Sequence, residues 1–300
     1  MCRAKAWPSA RLFAKMRVME LPDDRTLREL VQRYASIVER FGADLGQRPM
    51  VLPNGQFFPD QFNGDFPSVQ RLLRRMQQHA GMSDIPIQLG VVDPDAEGEA
   101  CGTGACGSYA APSVSPEIAA ARLVDLGDGW RVNIAPTEAR SPVALTAALA
   151  RALGHVFLLE ETSAERPIED PLEVTVELTT VALGLGTLLL SGSYLYQKSC
   201  GGPNVACLTA LGVGELSIAF ALFAKHSGHS LRRARAELDA TQRDQLSEAE
   251  TWMLSNPRVS QLLATDPLRL VLGDFELSAP KSWMGRLLSG LSASNRAPAS

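Results

Sequence analysis

His155 stands four residues after Arg151 and three after Ala152, in the run Ala150-Arg151-Ala152-Leu153-Gly154-His155-Val156. On a helix, residues four apart share a face, so Arg151 and His155 lie side by side with Ala152 near the same edge. Where a helix holds a catalytic metal, two imidazoles at this spacing bind the ion and a carboxylate beside the first takes the proton of the bound water. Here arginine and alanine occupy the two positions that the chemistry needs. Ala152 accepts no proton, and Arg151 is a permanent cation close to where a dication would sit. Further along, Glu173 and Glu177 are again four apart and open a long apolar stretch.

Other residues with metal-binding chemistry are grouped in loops. Cys101, Cys106, Cys200 and Cys207 offer four sulfurs for an alternative structural zinc site, with glycines in Cys101-Gly102-Thr103-Gly104-Ala105-Cys106-Gly107 permitting a tight turn. The spacing of Cys101 and Cys106 is wider than a usual zinc knuckle, and isolated loop cysteines are more often unligated. Gly102-Thr103-Gly104 is not followed by the Lys-Ser/Thr of a phosphate-binding loop. His226 and His229 have a spacing that can share a metal, but Gly228 between them marks a helix end, where polar capping is the simpler role. There is no Gly-x-Ser-x-Gly elbow.

The elements that must position these side chains follow from periodicity and capping. Leu27, Leu30, Val31, Tyr34, Ile37, Val38 and Phe41 recur at three-and-four spacing, which predicts a helix over 24–41 with one buried stripe. Pro49-Met50-Val51-Leu52-Pro53 reads as a short strand, Pro67 to Ala80 as a helix with Arg71, Arg74 and Arg75 on its solvated face, and Ile85 to Val92 as a strand. Trp130 to Ile134 alternates as another strand. Ser141-Pro142 announces a helix to about Leu159, with serine as the cap and proline at the first helical position. Core helices are predicted at Glu173–Tyr196 and Asn204–Ala224. From Leu231 to Leu263 charged helical sequence returns, with Leu231, Ala234, Leu238, Leu246, Trp252, Met253 and Leu262 facing inward.

The run Ala150 to Val156 resembles the Ala-His-Glu-Leu-Gly-His-Val of zincin-like metallopeptidases, a group that includes bacterial families of unknown function with a strand-rich front half. Leu153-Gly154-His155-Val156 matches; Arg151 and Ala152 depart from the pattern. Leu178 to Gly186 resembles the glycine-containing second helix of those families, and Leu216 to Ala224 their next buried helix. The likeness covers Pro49 to Phe275 and is strongest from Ser141 to Ala224. It implies that Glu177 takes the place of a third zinc ligand, so that His155 and Glu177 are the metal candidates and the first shell is incomplete. A sharper expectation follows: Arg151 has replaced the metal as the positive charge that neutralises Glu177, because a buried carboxylate requires a paired partner and guanidinium offers planar forked donors. Its guanidinium then lies against Glu177 or Glu173. The simpler alternative makes His155 an ordinary helix histidine and Glu177 a capping or surface acid.

Bulk properties narrow the function classes. A formal net charge of -4 with 45% hydrophobic and 21% charged residues describes an ordinary globular chain, and no nucleic-acid partner is expected. Five cysteines in 300 residues are too few for a disulfide scaffold, and the basic first twenty residues lack a signal-type apolar core, so a cytoplasmic location is expected. Residues 1–23 read as a basic flexible segment, 24–275 as a single zincin-like α+β domain with a small sheet packed on a predominantly helical body, and 276–300 as a flexible tail. The leading reading is a catalytically inactive, metallopeptidase-like protein that binds a protein partner or serves as a scaffold or regulator. One alternative is a zinc-dependent hydrolase with a remodelled site. The other is a membrane-associated protein with a helical hairpin at 178–224, since Leu178–Tyr196 and Asn204–Ala224 are both apolar over near-spanning lengths, interrupted by Glu215.

Overall fold

The computed structural model describes residues 21–42, 45, 48–91, 122–162, 172–199 and 202–279. Helix α1 spans Asp24–Phe41 and α2 spans Phe66–Ala80; β1 (Ile87–Val91), β2 (Leu123–Asp125) and β3 (Trp130–Ile134) follow. Next come the short α3 (Pro136–Ala139), the long α4 (Pro142–Glu160), α5 (Leu172–Thr180), a widened turn at Val181–Leu185, and α6 (Gly186–Gly192). A hairpin of β4 (Leu195–Ser199) and β5 (Gly202–Ala206) leads to α7 (Val213–His226), α8 (Leu231–Glu237), α9 (Ala240–Ser255), α10 (Pro257–Thr265) and α11 (Pro267–Val271).

Local chemistry accounts for the helix starts. Asp23, Asp65 and Ser141 accept hydrogen bonds from Thr26 N, Ser68 N and Ala144 N at 2.8, 2.8 and 3.4 Å, each satisfying a first-turn amide. Glu215, which interrupts an otherwise apolar run, is the first-turn residue of α7: its Oε2 accepts from Gly212 N at 2.6 Å. That is a capping role rather than an interruption within a helix.

The sheet has the order β1-β3-β2, with β1 parallel and β2 antiparallel to β3. Leu89 and Val132, paired across β1 and β3, face the core. The Trp130 indole Nε1 donates to Glu160 at the end of α4, tying the sheet to the helix that carries His155. The fold is therefore α+β, a small sheet on a mostly helical body. One contiguous apolar cluster runs from Leu27 on α1 to Phe275. The chain from Leu178 to Leu190 lies at its centre, with every leucine and valine fully buried.

Several expected boundaries change. Pro49–Pro53 is not a strand: its two prolines lack an N–H for sheet pairing, and Val51 N donates instead to Gly184 O at 2.9 Å. That bond exists because the predicted helix over Glu173–Tyr196 is broken. Gly184 adopts φ 86°, which opens its carbonyl to an outside donor. The chain then ends its helix at Gly192 and enters β4. The predicted helix Asn204–Ala224 is likewise divided, its first part being β5 and a loop. Pro142–Glu160 and Leu172–Gly192 are long and apolar enough to cross a membrane by length and composition; 56% and 89% of their most apolar windows are buried inside the protein.

The ends of the domain extend a little beyond the expected 24–275. Leu21 and Leu277 pack on the core, and Asn256 holds Ser278 by accepting from its N–H at 2.7 Å and donating to its carbonyl at 3.0 Å. Residues 276–278 are thus part of the folded body.

Candidate functional site

Three helices meet around Arg151. Helix α4 packs against both α5 and α6, and the approach is close because small residues line the contacts. A Cβ added at Gly154 would stand 2.0 Å from Thr180 Oγ1 and 2.9 Å from the Val176 carbonyl; one at Gly192 would stand 2.7 Å from the Ala147 Cβ. Glycine at 154 thus serves packing between α4 and α5, independently of any metal chemistry.

Glu177 is fully buried on α5, and the guanidinium of Arg151, with its side chain 12% exposed, reaches it across the helix pair: Arg151 Nε lies 3.3 Å from Glu177 Oε1. The same carboxylate accepts from two successive backbone amides ahead of α7, Ala210 N to Oε1 at 2.7 Å and Leu211 N to Oε2 at 2.8 Å. Burial pushes the Glu177 pKa up, while Arg151 and the two amides pull it down; the net direction is upward. Sequence reasoning anticipated the arginine but not the amides, which lie in a loop with no charge or motif to mark them.

His155 sits one turn beyond Arg151 and is part-buried. Burial and the neighbouring guanidinium depress its pKa, with Glu173 opposing, so the imidazole is neutral near pH 7. Arg151, Ala152, His155 and Glu173 line a cavity of about 50 Å³. Its far wall holds a second ion pair that sequence reasoning missed: Arg122 Nη1 and Nη2 donate to Glu138 Oε2 and Oε1 at 3.0 and 2.7 Å, with both side chains largely buried. Glu138 also accepts from Ala135 N at 3.0 Å. That half of the arrangement was legible, since Pro136 followed by Glu138 is a helix-start pattern. Nothing around Arg122 announces its partner.

These residues do not fit a zinc ion. Both oxygens of Glu177 are already engaged, a guanidinium stands beside them, and Ala152 contributes no ligand or base. Among the described residues no group of three histidine, cysteine or acidic side chains is placed to hold a metal. Of the four cysteines, Cys101, Cys106 and Cys200 lie outside the described residues; Cys207 is exposed, its Sγ 3.2 Å from Thr209 O. His226 and His229 do not converge on a shared ligand. His229 Nε2 meets the Arg48 carbonyl at 2.8 Å, whereas both ring nitrogens of His226 lack a hydrogen-bond partner and burial lowers its pKa. Closure of α7 comes instead from His229 N donating to Ala224 O at 2.7 Å, after Gly228 at φ 67°.

No family model matches this chain, and neither a curated protein nor a solved structure matches it. The chemistry of the site therefore rests on its own geometry. A cation, a buried carboxylate and two amides form a closed, charge-balanced cluster, with a neutral imidazole alongside in a space that admits little more than water.

Proposed function

We propose that this chain is a non-catalytic protein of zincin-like descent that acts by binding, as a scaffold or regulator of a protein partner. The observation that carries the reading is the Arg151–Glu177 pair: a fixed side-chain cation stands against the carboxylate that the resemblance would assign to a metal. Ala152 next to it leaves no carboxylate to activate water, and the small cavity beside His155 leaves little room for a substrate. Loss of a reaction leaves a fold free for recognition, although fold alone names no partner.

Metal analysis tests the proposal. The purified protein is expected to carry no stoichiometric zinc, and the double variant Arg151→His/Ala152→Glu is expected to acquire it and to lose it again when His155→Ala is added. Stoichiometric zinc in the unaltered protein that disappears with His155→Ala would overturn the non-catalytic reading. Failure of the folded double variant to take zinc would overturn the zincin-like descent.

The same reading places the protein in the cytoplasm, supported by the burial of Leu172–Gly192 within its own core. A membrane-associated form is the second reading, favoured by the two helices of sufficient length and hydropathy. Carbonate extraction of cells separates the two. Release into the supernatant is expected, and persistent pelleting with lipid would favour the membrane form.

A further inference from the structure

The cluster around Arg151 is balanced in charge but not in hydrogen bonds. A guanidinium carries five N–H donors in a fixed fork. Here Nε stands 3.3 Å from Glu177 Oε1, and among the described residues no acceptor meets Nη1 or Nη2. These two nitrogens are not sealed in the core as Arg33 Nη1 and Arg48 Nε are, although the side chain as a whole is only 12% exposed. The open space they keep is the cavity beside His155, which Arg151 lines. Polar groups this far from bulk water are ordinarily bonded, and open donors on a largely buried cation call for an acceptor.

The opposite charge stands open on the same cavity. Glu173, part-buried on α5, lines it and meets neither a cation nor a hydrogen-bond donor among the described residues. The other charges on the wall cancel, because Arg122 and Glu138 hold each other through two parallel hydrogen bonds. His155 is within range of both open groups: burial and then the Arg151 guanidinium lower its pKa, while Glu173 raises it. The cavity exists because α4 presents alanines at 144, 148 and 152, one turn apart beside Arg151 and His155. Its volume of about 50 Å³ compares with the roughly 10–15 Å³ that one water needs, which admits a ligand of a few heavy atoms.

We infer that this cavity binds a small zwitterion of the α-amino acid class, of the size of glycine or alanine, with its carboxylate on the Arg151 fork and its ammonium on Glu173. Each end fills a group that the protein leaves open, and the ligand adds no net charge. A simple carboxylate would face Glu173 unopposed, and a simple amine would leave the guanidinium donors unfilled. Arg151 and Glu173 do not touch each other, which leaves room for a ligand that bridges them. Such a site goes beyond recognition of a protein partner, and it stands on open donors and an open charge whatever the descent of the fold.

Isothermal titration of the full chain with glycine, acetate, methylammonium and leucine tests it, since the first three differ in charge and the last in bulk. Saturable binding of glycine is expected, about tenfold tighter than that of acetate or methylammonium, with leucine excluded. Glu173→Gln keeps the shape of the wall and removes the charge that meets the ammonium; it is expected to weaken glycine about fivefold and to leave acetate no weaker, as suits a partly exposed carboxylate. Ala148→Met, at a part-buried position on the cavity wall, is expected to fill the space and abolish glycine binding. Thermal melts establish that both variants fold, and Glu173→Gln carries the test by itself if Ala148→Met does not. The inference is overturned if glycine does not saturate below about 10 mM, or if acetate, methylammonium or leucine binds as tightly. It is overturned equally if Glu173→Gln or a folded Ala148→Met protein binds glycine unchanged.

Discussion

Replacing Arg151 with methionine is expected to destabilise the protein by about 3–5 kcal/mol near neutral pH, the usual cost of leaving one member of a buried ion pair without its partner. Methionine keeps much of the aliphatic length that arginine packs between α4 and α5, so lost contact area contributes little. The loss falls on Glu177, which is fully buried and keeps only the amides of Ala210 and Leu211 to support its charge. The pH dependence carries the diagnostic information. Burial already holds the folded pKa of Glu177 above its ordinary value. A raised folded pKa means that the folded state holds the proton more tightly than the unfolded state; this contribution is complete below the unfolded pKa and is lost as pH rises through the folded one. Removing Arg151 raises the folded pKa further, so the loss grows deeper and extends to higher pH. Urea unfolding at about pH 7.5 and about pH 4.5 is expected to show a large deficit in the first condition and a smaller one in the second. Adding Glu177→Gln to Arg151→Met should recover part of the stability at the higher pH, because no buried charge then remains unpaired. A deficit below about 1 kcal/mol, or one independent of pH, would mean that the pair is peripheral to the fold.

Gly184→Ala is expected to cost about 2–5 kcal/mol, combining the strain of a left-handed residue with a steric conflict. The residue sits at φ 86° in the break between α5 and α6, and an added Cβ would lie 2.0 Å from the Pro49 carbonyl oxygen. That neighbour is backbone, held by the adjacent bond from Val51 N to Gly184 O, so neither side can yield without moving the break or the buried Met50–Leu52 segment. Gly64→Ala supplies the control: it has φ 76° and nothing within 4 Å of the added carbon, so only the backbone component applies. Thermal or urea unfolding of the two variants should differ by about 1–3 kcal/mol, the steric component alone. Equal losses would show that the close approach of Pro49 is not maintained in solution.

Much of the architecture was written in local patterns. The apolar stripe of α1, the cap and proline that open α4, the alternation of β3 and the inward positions between Leu231 and Leu262 are all properties of a few neighbouring residues. They survive in the fold because each element buries the face that its own periodicity defines. Pro49–Pro53 failed as a strand because its prolines lack the donor that a ladder needs, and the helix errors arose where two apolar stretches carried no such periodicity. In Glu173–Tyr196 and Asn204–Ala224 apolar residues alternate with Thr, Ser and Gly on no single face, so the pattern marks burial but not conformation, and it leaves the break at Gly184 and the β4–β5 hairpin unmarked.

The candidate site divides in the same way. The sequence by itself determined what chemistry Arg151 and Ala152 deny: a guanidinium and a methyl group cannot act as ligand and base, whatever surrounds them. It also determined that Arg151 and His155 share a helix face. Only the tertiary structure decided that Arg151 meets Glu177 rather than Glu173, and that amides 33 and 34 residues beyond Glu177 complete its shell. The pairing of Arg122 with Glu138, and the cavity that gathers Arg151 and His155 with Glu173, were decided there as well. A side chain's type fixes what it can bond, but its partner is set by how α4, α5 and the approach to α7 pack, and that packing follows from close contacts such as Gly154 on Thr180 that no local pattern encodes.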